Sequence, residues 1–163
     1  MSNYSLIQIN DIDKGVVNIQ LKWQLGEGEL AQGKYSNNHE ITYNDQFKLT
    51  ADAAPDWGGD VANTNPEQAL AASISSCHMM TFLALAAKTK WPVSSYEDKA
   101  EAFLGKNSKG QMAVTKIRLN PSVRFSNGFT VSDQEMNEMH DRSHRYCFIA
   151  NSLSEEVEFE VNL

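Results

Sequence analysis

The chain has 163 residues, of which 41% are hydrophobic and 21% are charged. This composition is typical of a globular protein and excludes an intrinsically disordered chain. The length fits one domain, and we predict a single domain over residues 1–163. The net charge of −7, with no basic patch, argues against nucleic acid as a partner.

The first part of the chain has the signals of a sheet. Apolar residues alternate with others over residues 17–23, which predicts a half-buried strand. Residues 39–50 predict a hairpin around a turn at residues 44–45. Residues 51–64 contain proline, glycines and aspartates, so we predict a loop there.

A long helix is predicted to begin after Asn65, a favoured N-cap that is followed by Pro66 and Glu67. Residues 91–92, Trp-Pro, are expected to end it. Residues 69–87 are uncharged and about as long as a membrane span, but their polar residues and the missing basic flank favour a helix buried inside a soluble protein. Helical spacing predicts an inner stripe of Leu70, Ile74, Cys77, Thr81 and Ala84.

The strand pattern returns over residues 95–125. A turn is predicted at residues 107–110, between a strand that ends near Leu104 and a long strand over residues 114–125. We therefore predict further β-structure in this part of the chain.

A second helix is predicted to open at Ser132, because Glu135 completes a capping box with it. Its inner stripe is predicted to be Met136, Met139, Ser143, Cys147, Ala150 and Leu153. An alternating strand over residues 157–161 closes the chain. The order of strands, helix, strands, helix and strand predicts an α+β protein with a mostly antiparallel sheet.

Residues 1–10 lack the basic head and apolar run of a signal peptide. We therefore expect a cytoplasmic protein whose two cysteines stay reduced thiols. No membrane association is expected.

The two cysteines are the first candidates for chemistry. Cys77 and Cys147 both fall on predicted inner faces of helices, and such cysteines often serve only as small apolar core residues. Two thiols on packed helices can also exchange a disulfide, which makes redox chemistry our first hypothesis. A reactive thiol needs a cation, a helix N-terminus or a metal nearby. Because Cys77 lies well beyond the first turn of its helix, the helix dipole does not stabilise its thiolate.

A metal site is the alternative use of these side chains. His140 and His144 are four residues apart, and with Cys77, His78 and Cys147 they offer mixed ligands. No Cys-x-x-Cys or other zinc spacing is present, so we expect no metal and interpret the histidines as solvent-facing or capping residues. A serine hydrolase is disfavoured because the Gly-x-Ser-x-Gly motif is absent.

Two motifs resemble those of a known family. The stretch NPEQALAASISSCHMMTFL at residues 65–83 is similar to the first cysteine motif of the osmotically inducible protein C (OsmC) family, which includes the organic hydroperoxide resistance (Ohr) proteins. Residues 144–153, HRYCFIANSL, resemble the second cysteine motif. Residues 53–60 and 96–98 are also similar, and the resemblance runs from about residue 33 to residue 161.

The resemblance implies an α+β fold of the OsmC type, with antiparallel sheets around two long central helices in an intertwined homodimer. It implies a cysteine-based peroxidase that reduces organic hydroperoxides in oxidative stress defence, without a metal, flavin or haem cofactor. Cys77 would be the nucleophile, Cys147 the resolving thiol that forms a disulfide with it, and Glu67 the carboxylate partner. A dithiol such as a lipoylated protein would be the reductant.

The sequence departs from the family's pattern at one position. Residues 35–39 read Tyr-Ser-Asn-Asn-His, so that Asn37 stands where the family's activating arginine usually lies. A redox sensor or a small-molecule binding protein with little turnover is therefore the alternative. Glu67 precedes Cys77 by ten residues, about 15 Å along a helix, so it would act through a bridging cation or across an interface. The candidate replacement cations are Lys34, Arg124, Arg142 and Arg145.

Overall fold

The computed structural model describes residues 16–163, so residues 1–10, on which the export prediction rests, lie outside the described residues. The described chain forms two compact units that divide between Thr64 and Asn65. The fold is α+β, with two α-helices and largely antiparallel sheets, which confirms the predicted class. The single domain over residues 1–163 stays a prediction.

The first unit contains a three-stranded antiparallel sheet in the order β1-β2-β3. Its strands are β1 (Gln20–Lys22), β2 (His39–Asn44) and β3 (Phe47–Ala51). The predicted first strand shortens to β1, and it is exposed throughout instead of half-buried. The hairpin is confirmed, with its turn one residue later than predicted because Asn44 still pairs with Phe47.

The loop after β3 holds a 3-10 helix, Pro55–Trp57, and a tight backbone approach at Gly59. A Cβ atom at Gly59 would lie 1.7 Å from the Ala53 carbonyl oxygen, so only glycine fits there. The buried Asp52 carboxylate accepts hydrogen bonds from the Ala53 N–H at 2.8 Å and the Asp60 N–H at 3.2 Å. These bonds satisfy the buried carboxylate and hold the loop.

The second unit opens with α1 (Pro66–Lys88). The predicted N-cap is confirmed, because the Asn65 side chain accepts a hydrogen bond from the Gln68 N–H at 2.8 Å. The helix ends at Lys88 instead of at the Trp-Pro pair. Lys90 takes a left-handed conformation, with φ of 61°, which stops the helix before the proline is reached.

The strands of the second unit form two sheets. They are β4 (Val93–Asp98), β5 (Glu101–Lys106), β6 (Met112–Leu119), β7 (Pro121–Phe125) and β8 (Glu158–Val161). One sheet pairs β4 with β7, and the other has the order β5-β6-β8 with β8 parallel to β6. The predicted turn at residues 107–110 is confirmed.

The prediction of one continuous strand over residues 114–125 is wrong. Asn120 interrupts it, because its N–H donates to the Asp98 carboxylate at 2.8 Å instead of to a neighbouring strand. The strands on its two sides, β6 and β7, therefore join different sheets.

Helix α2 (Asp133–Tyr146) begins as predicted. The Ser132 hydroxyl accepts from the Glu135 N–H at 3.2 Å, and the Glu135 carboxylate accepts from the Ser132 N–H at 2.8 Å, which completes the capping box. The predicted continuation to Leu153 is wrong. The helix stops at Tyr146, and a separate 3-10 helix follows at Ala150–Ser152.

The core of the second unit has two apolar clusters, and α1 contributes to both. Ile74 packs with Ile117 and Leu119, whereas Phe82 and Ala86 pack with Met139. The buried residues of α1 are Ala71, Ile74, His78, Phe82 and Ala86. The buried face therefore lies about one residue further along the chain than the predicted inner stripe.

One side of α1 stays exposed. Met80 is 58% exposed and Leu83 is 37% exposed, so a single chain buries only part of the helix that was predicted to lie inside the protein. Among the described residues, α1 is also the one helix with the length and composition of a membrane span, a property that core helices of soluble proteins share.

Candidate active site

Cys77 lies in the middle of α1 as a half-buried free thiol. The backbone carbonyl of Cys77 accepts a hydrogen bond from the Thr81 hydroxyl at 2.9 Å. A small reagent can reach a side chain with this exposure, whereas a fully buried thiol would be closed to it.

Cys147 lies at the C-cap of α2, so its predicted place inside the helix is corrected. Its side chain is completely buried. The Cys147 N–H donates to the His144 carbonyl at 3.1 Å, and the Cys147 sulfur accepts from the Ala150 N–H at 3.4 Å. The turn that ends α2 therefore holds this sulfur in place.

The structure brings the two cysteines together. Burial and the neighbouring Cys77 thiol together raise the pKa of the Cys147 thiol to about 11, against the opposing effect of the N–H groups of Ala150 and Ile149. Cys147 therefore lies close enough to Cys77 to interact with it, and it stays protonated at neutral pH.

Glu67 lies in the first turn of α1, where the helix dipole favours a carboxylate. Its Oε2 atom is buried and has no hydrogen-bond partner among residues 16–163. Because Glu67 and Cys77 belong to the same continuous helix, about 15 Å of rise separates them. The structure therefore does not bring Glu67 to the cysteines within one chain.

Asn37 lies in the first unit, just before β2. Its backbone carbonyl accepts a hydrogen bond from the His39 Nδ1–H at 2.7 Å. Its neighbour Lys34 is exposed and pairs with Glu29 at 3.5 Å. Asn37 lines a cleft of this unit together with Gly33, Tyr35, Ser36, Asp52, Trp57 and Gly58.

The other candidate cations lie on the surface of the second unit. Arg124, Arg142 and Arg145 are all exposed. Within residues 16–163 none of these three arginines forms an ion pair with a carboxylate.

A buried histidine pair was missed by the sequence reasoning. His78 on α1 is 0% exposed and His140 on α2 is 1% exposed, so the expectation of a solvent-facing or capping role is wrong for His140. The His78 Nε2 and His140 Nδ1 atoms are 3.0 Å apart. Burial lowers the pKa of both imidazoles to about 4, so both are neutral at pH 7. The sequence does contain a signal for the burial of His78, because it lies four residues from both Ile74 and Phe82 and therefore on the same face of the helix.

Besides the histidine pair, a second cluster of polar side chains is centred on Asp98 of β4. The Asp98 carboxylate accepts hydrogen bonds from the Ser75 hydroxyl and from the Asn120 N–H. Burial raises the pKa of Tyr96, and the charge of Asp98 adds to the effect. In residues 16–163 no group of three or more histidine, cysteine or acidic side chains is arranged to hold a metal, so the mixed ligand set considered above does not assemble.

Comparison with known families agrees with the cysteine motifs. The profile of the family described as OsmC-like protein matches residues 58–162, which is more than half of the chain. The chain belongs to the OsmC-like family. An OsmC-like protein of unknown function from Vibrio cholerae is 38% identical, with a TM-score of 0.82 over 89% of this chain and 96% of that chain.

Two more distant OsmC-family structures share the fold. The organic hydroperoxide resistance protein OsmC of Legionella pneumophila is 18% identical, with a TM-score of 0.66 over 92% of this chain and 100% of that chain. The organic hydroperoxide resistance protein OhrB of Bacillus subtilis is 17% identical, with a TM-score of 0.63 over 91% of this chain and 97% of that chain. A comparison with curated proteins finds no match.

Proposed function

We propose that this OsmC-like protein is a cysteine-based peroxidase that reduces organic hydroperoxides in oxidative stress defence. The observation that carries the proposal is the proximity of two free thiols, the buried Cys147 and the half-buried Cys77. The names of the Legionella and Bacillus relatives point to the same chemistry.

The proposed reaction begins at the more accessible sulfur. The Cys77 thiolate attacks the terminal peroxide oxygen, the O–O bond breaks, and the products are a Cys77 sulfenic acid and an alcohol. The Cys147 sulfur then attacks the Cys77 sulfur, the S–O bond breaks, and a disulfide and one water are formed. A dithiol, such as a lipoylated protein, reduces the disulfide to two thiols and is itself oxidised to a disulfide.

The geometry supports this division of roles. Cys147 is buried and its pKa is raised, so it keeps its proton until a sulfenic acid forms beside it. The leaving oxygen of the sulfenic acid can accept that proton as water departs. The half-buried Cys77 is the thiol that a peroxide reaches first.

The proposed assembly is a cytoplasmic homodimer. The exposed apolar side chains of Met80, Leu83 and Phe148 would then be covered, and they would offer an apolar approach for the peroxide. In such a dimer Glu67 would act across the interface. Sedimentation should give twice the mass of one chain, and a monomer at micromolar concentration would contradict this assembly.

The direct test is to replace each cysteine with serine. Cys77→Ser should abolish the consumption of cumene hydroperoxide in the presence of dihydrolipoamide, because no nucleophile remains. Cys147→Ser is the matched control and should still form one sulfenic acid per chain, trapped with dimedone, without forming the disulfide. Turnover by Cys77→Ser would rule out the proposed mechanism.

A redox sensor or small-molecule binding protein is the second candidate, and Asn37 favours it. An asparagine carries no charge that could stabilise a thiolate, and it lines a cleft of the first unit. In that case the cysteines would be oxidised slowly, or a ligand would protect them from alkylation without any peroxide being consumed.

A further inference from the structure

The histidine pair has the geometry of a linear hydrogen bond. The two imidazole planes differ by 6° and the ring centroids are 5.3 Å apart, while His78 Nε2 and His140 Nδ1 are 3.0 Å apart. The centroid separation is therefore little more than the nitrogen distance plus the two ring radii. The N–H of one ring points along the lone pair of the other, and both rings are coplanar.

Aromatic side chains enclose this hydrogen bond. The Phe82 ring is 4.6 Å from the His140 ring, the Phe159 ring is 5.9 Å from the His78 ring, and the Tyr96 ring is 6.4 Å from the His140 ring. In such surroundings an intact hydrogen bond is strengthened, and a lost partner leaves a costly unsatisfied nitrogen. The bond therefore strongly favours the arrangement of α1 and α2 that allows it.

The histidines belong to the same two segments as the cysteines. His78 directly follows Cys77 on α1, and Cys147 follows His140 by seven residues, which is about two turns along the same face of α2. The His78–His140 and Cys77–Cys147 pairs are thus two polar contacts between the same two elements.

We infer that the His78–His140 hydrogen bond is a positioning contact that holds α1 and α2 in the register that places Cys77 beside Cys147. Apolar packing alone does not select one register for α1, because this helix carries small and apolar side chains on every face. A buried directional polar contact does select one, as single polar residues do in helical coiled coils. The inference deepens the proposed function, because it concerns the disulfide that the reaction forms.

The test compares two substitutions of nearly the same shape. His78→Gln keeps a donor close to the position of Nε2, whereas His78→Met fills the same space without one. The readout is the equilibrium constant of the Cys77–Cys147 disulfide against dithiothreitol at pH 7, without any peroxide. The constant for His78→Gln should stay within about threefold of the wild type, and that for His78→Met should fall about tenfold or more.

Two controls separate positioning from general loss of stability. Ile74→Val removes one methyl group from the other apolar cluster and should lower the unfolding temperature without changing the disulfide constant. His140→Asn and His140→Leu form a second matched pair on α2, which serves if His78→Met does not fold. Equal disulfide constants for the polar and apolar members of a matched pair would overturn the inference.

The outcome is distinguishable from a failure of the proposed function. A wild-type protein that forms the disulfide with oxidised dithiothreitol but does not react with peroxides would contradict the peroxidase and leave the positioning contact standing. A wild-type protein that forms no disulfide with oxidised dithiothreitol would overturn the positioning contact, since there would be no sulfur pair to position.

Discussion

At the scale of single residues, the two thiols differ in what surrounds them. Cys77 is half-buried, and no cation accompanies it on its own helix turn. Cys147 is fully buried, held by a backbone N–H and kept protonated by burial and by its neighbour. This asymmetry is the basis on which we propose attack by Cys77 and resolution by Cys147.

The charge missing at Asn37 leads to a prediction. Asn37→Arg should raise the rate of peroxide reduction by about tenfold or more, because a guanidinium stabilises a thiolate and an amide does not. Stopped-flow measurement of thiol loss after mixing with cumene hydroperoxide provides the rate. Asn37→Gln is the neutral control, and an arginine variant no faster than this control would show that the charge is supplied elsewhere or is not needed.

The cysteines were predictable from the sequence, and so was the burial of His78, but the pairing of His78 with His140 was not. Cys77 and Cys147 sit in long motifs that can be recognised without a structure. His78 and His140 are 62 positions apart, and only the packing of α1 on α2 brings their nitrogens to 3.0 Å. The spacing of a polar residue can show that it lies on an apolar helix face, but the sequence does not show which side chain is its partner there.

At the scale of elements, local signals located the starts of helices better than their ends. Asn65 and Ser132 cap α1 and α2 as predicted, because capping depends on residues close in the chain. The ends of both helices were missed, since a left-handed Lys90 and the turn at Cys147 follow no strong local signal. The buried face of α1 was predicted about one residue away from its observed place. The reason is that small and apolar side chains occur on nearly every side of this helix, so its sequence indicates no single inner face.

The capping box of α2 leads to a prediction for stability. Ser132→Ala should lower the free energy of unfolding by about 1 kcal/mol, because the first turn loses its side-chain acceptor. Urea unfolding followed by circular dichroism measures the change. Ser132→Gly is the control and should cost only a few tenths of a kcal/mol, so a larger loss for glycine than for alanine would contradict the capping explanation.

At the scale of the whole molecule, the buried histidines make the fold sensitive to acid. His78 and His140 have pKa values of about 4 in the folded protein, lowered by burial from 6.5, with a further lowering of His78 by its two histidine neighbours. Asp98 opposes the shift of His78, and Asp141 opposes the lowering of the pKa of His144. Tyr96 on β4 lies beside His140, and the uncharged Phe159 on β8 lies beside His78.

The sign of the pH dependence follows from these pKa values. Between pH 6.5 and pH 4 the unfolded chain binds protons that the folded protein excludes, so stability is complete above pH 6.5 and declines as the pH falls toward 4. We expect a loss on the order of 3 kcal/mol for each of the two histidines across this window. Urea unfolding at pH 7, 5.5 and 4.5 tests this, and His140→Leu should flatten the slope. A stability that stays constant or rises toward pH 4.5 would contradict it.

The central claim is that Cys77 and Cys147 form one redox pair driven by organic hydroperoxides. The measurement that tests it most directly mixes reduced protein with excess cumene hydroperoxide and follows the free-thiol count and the intact mass. We predict the loss of both thiols and a mass decrease of about 2 Da, the two hydrogens lost when a disulfide forms. Two unreacted thiols, or a stable sulfenic acid without a disulfide, would contradict the claim.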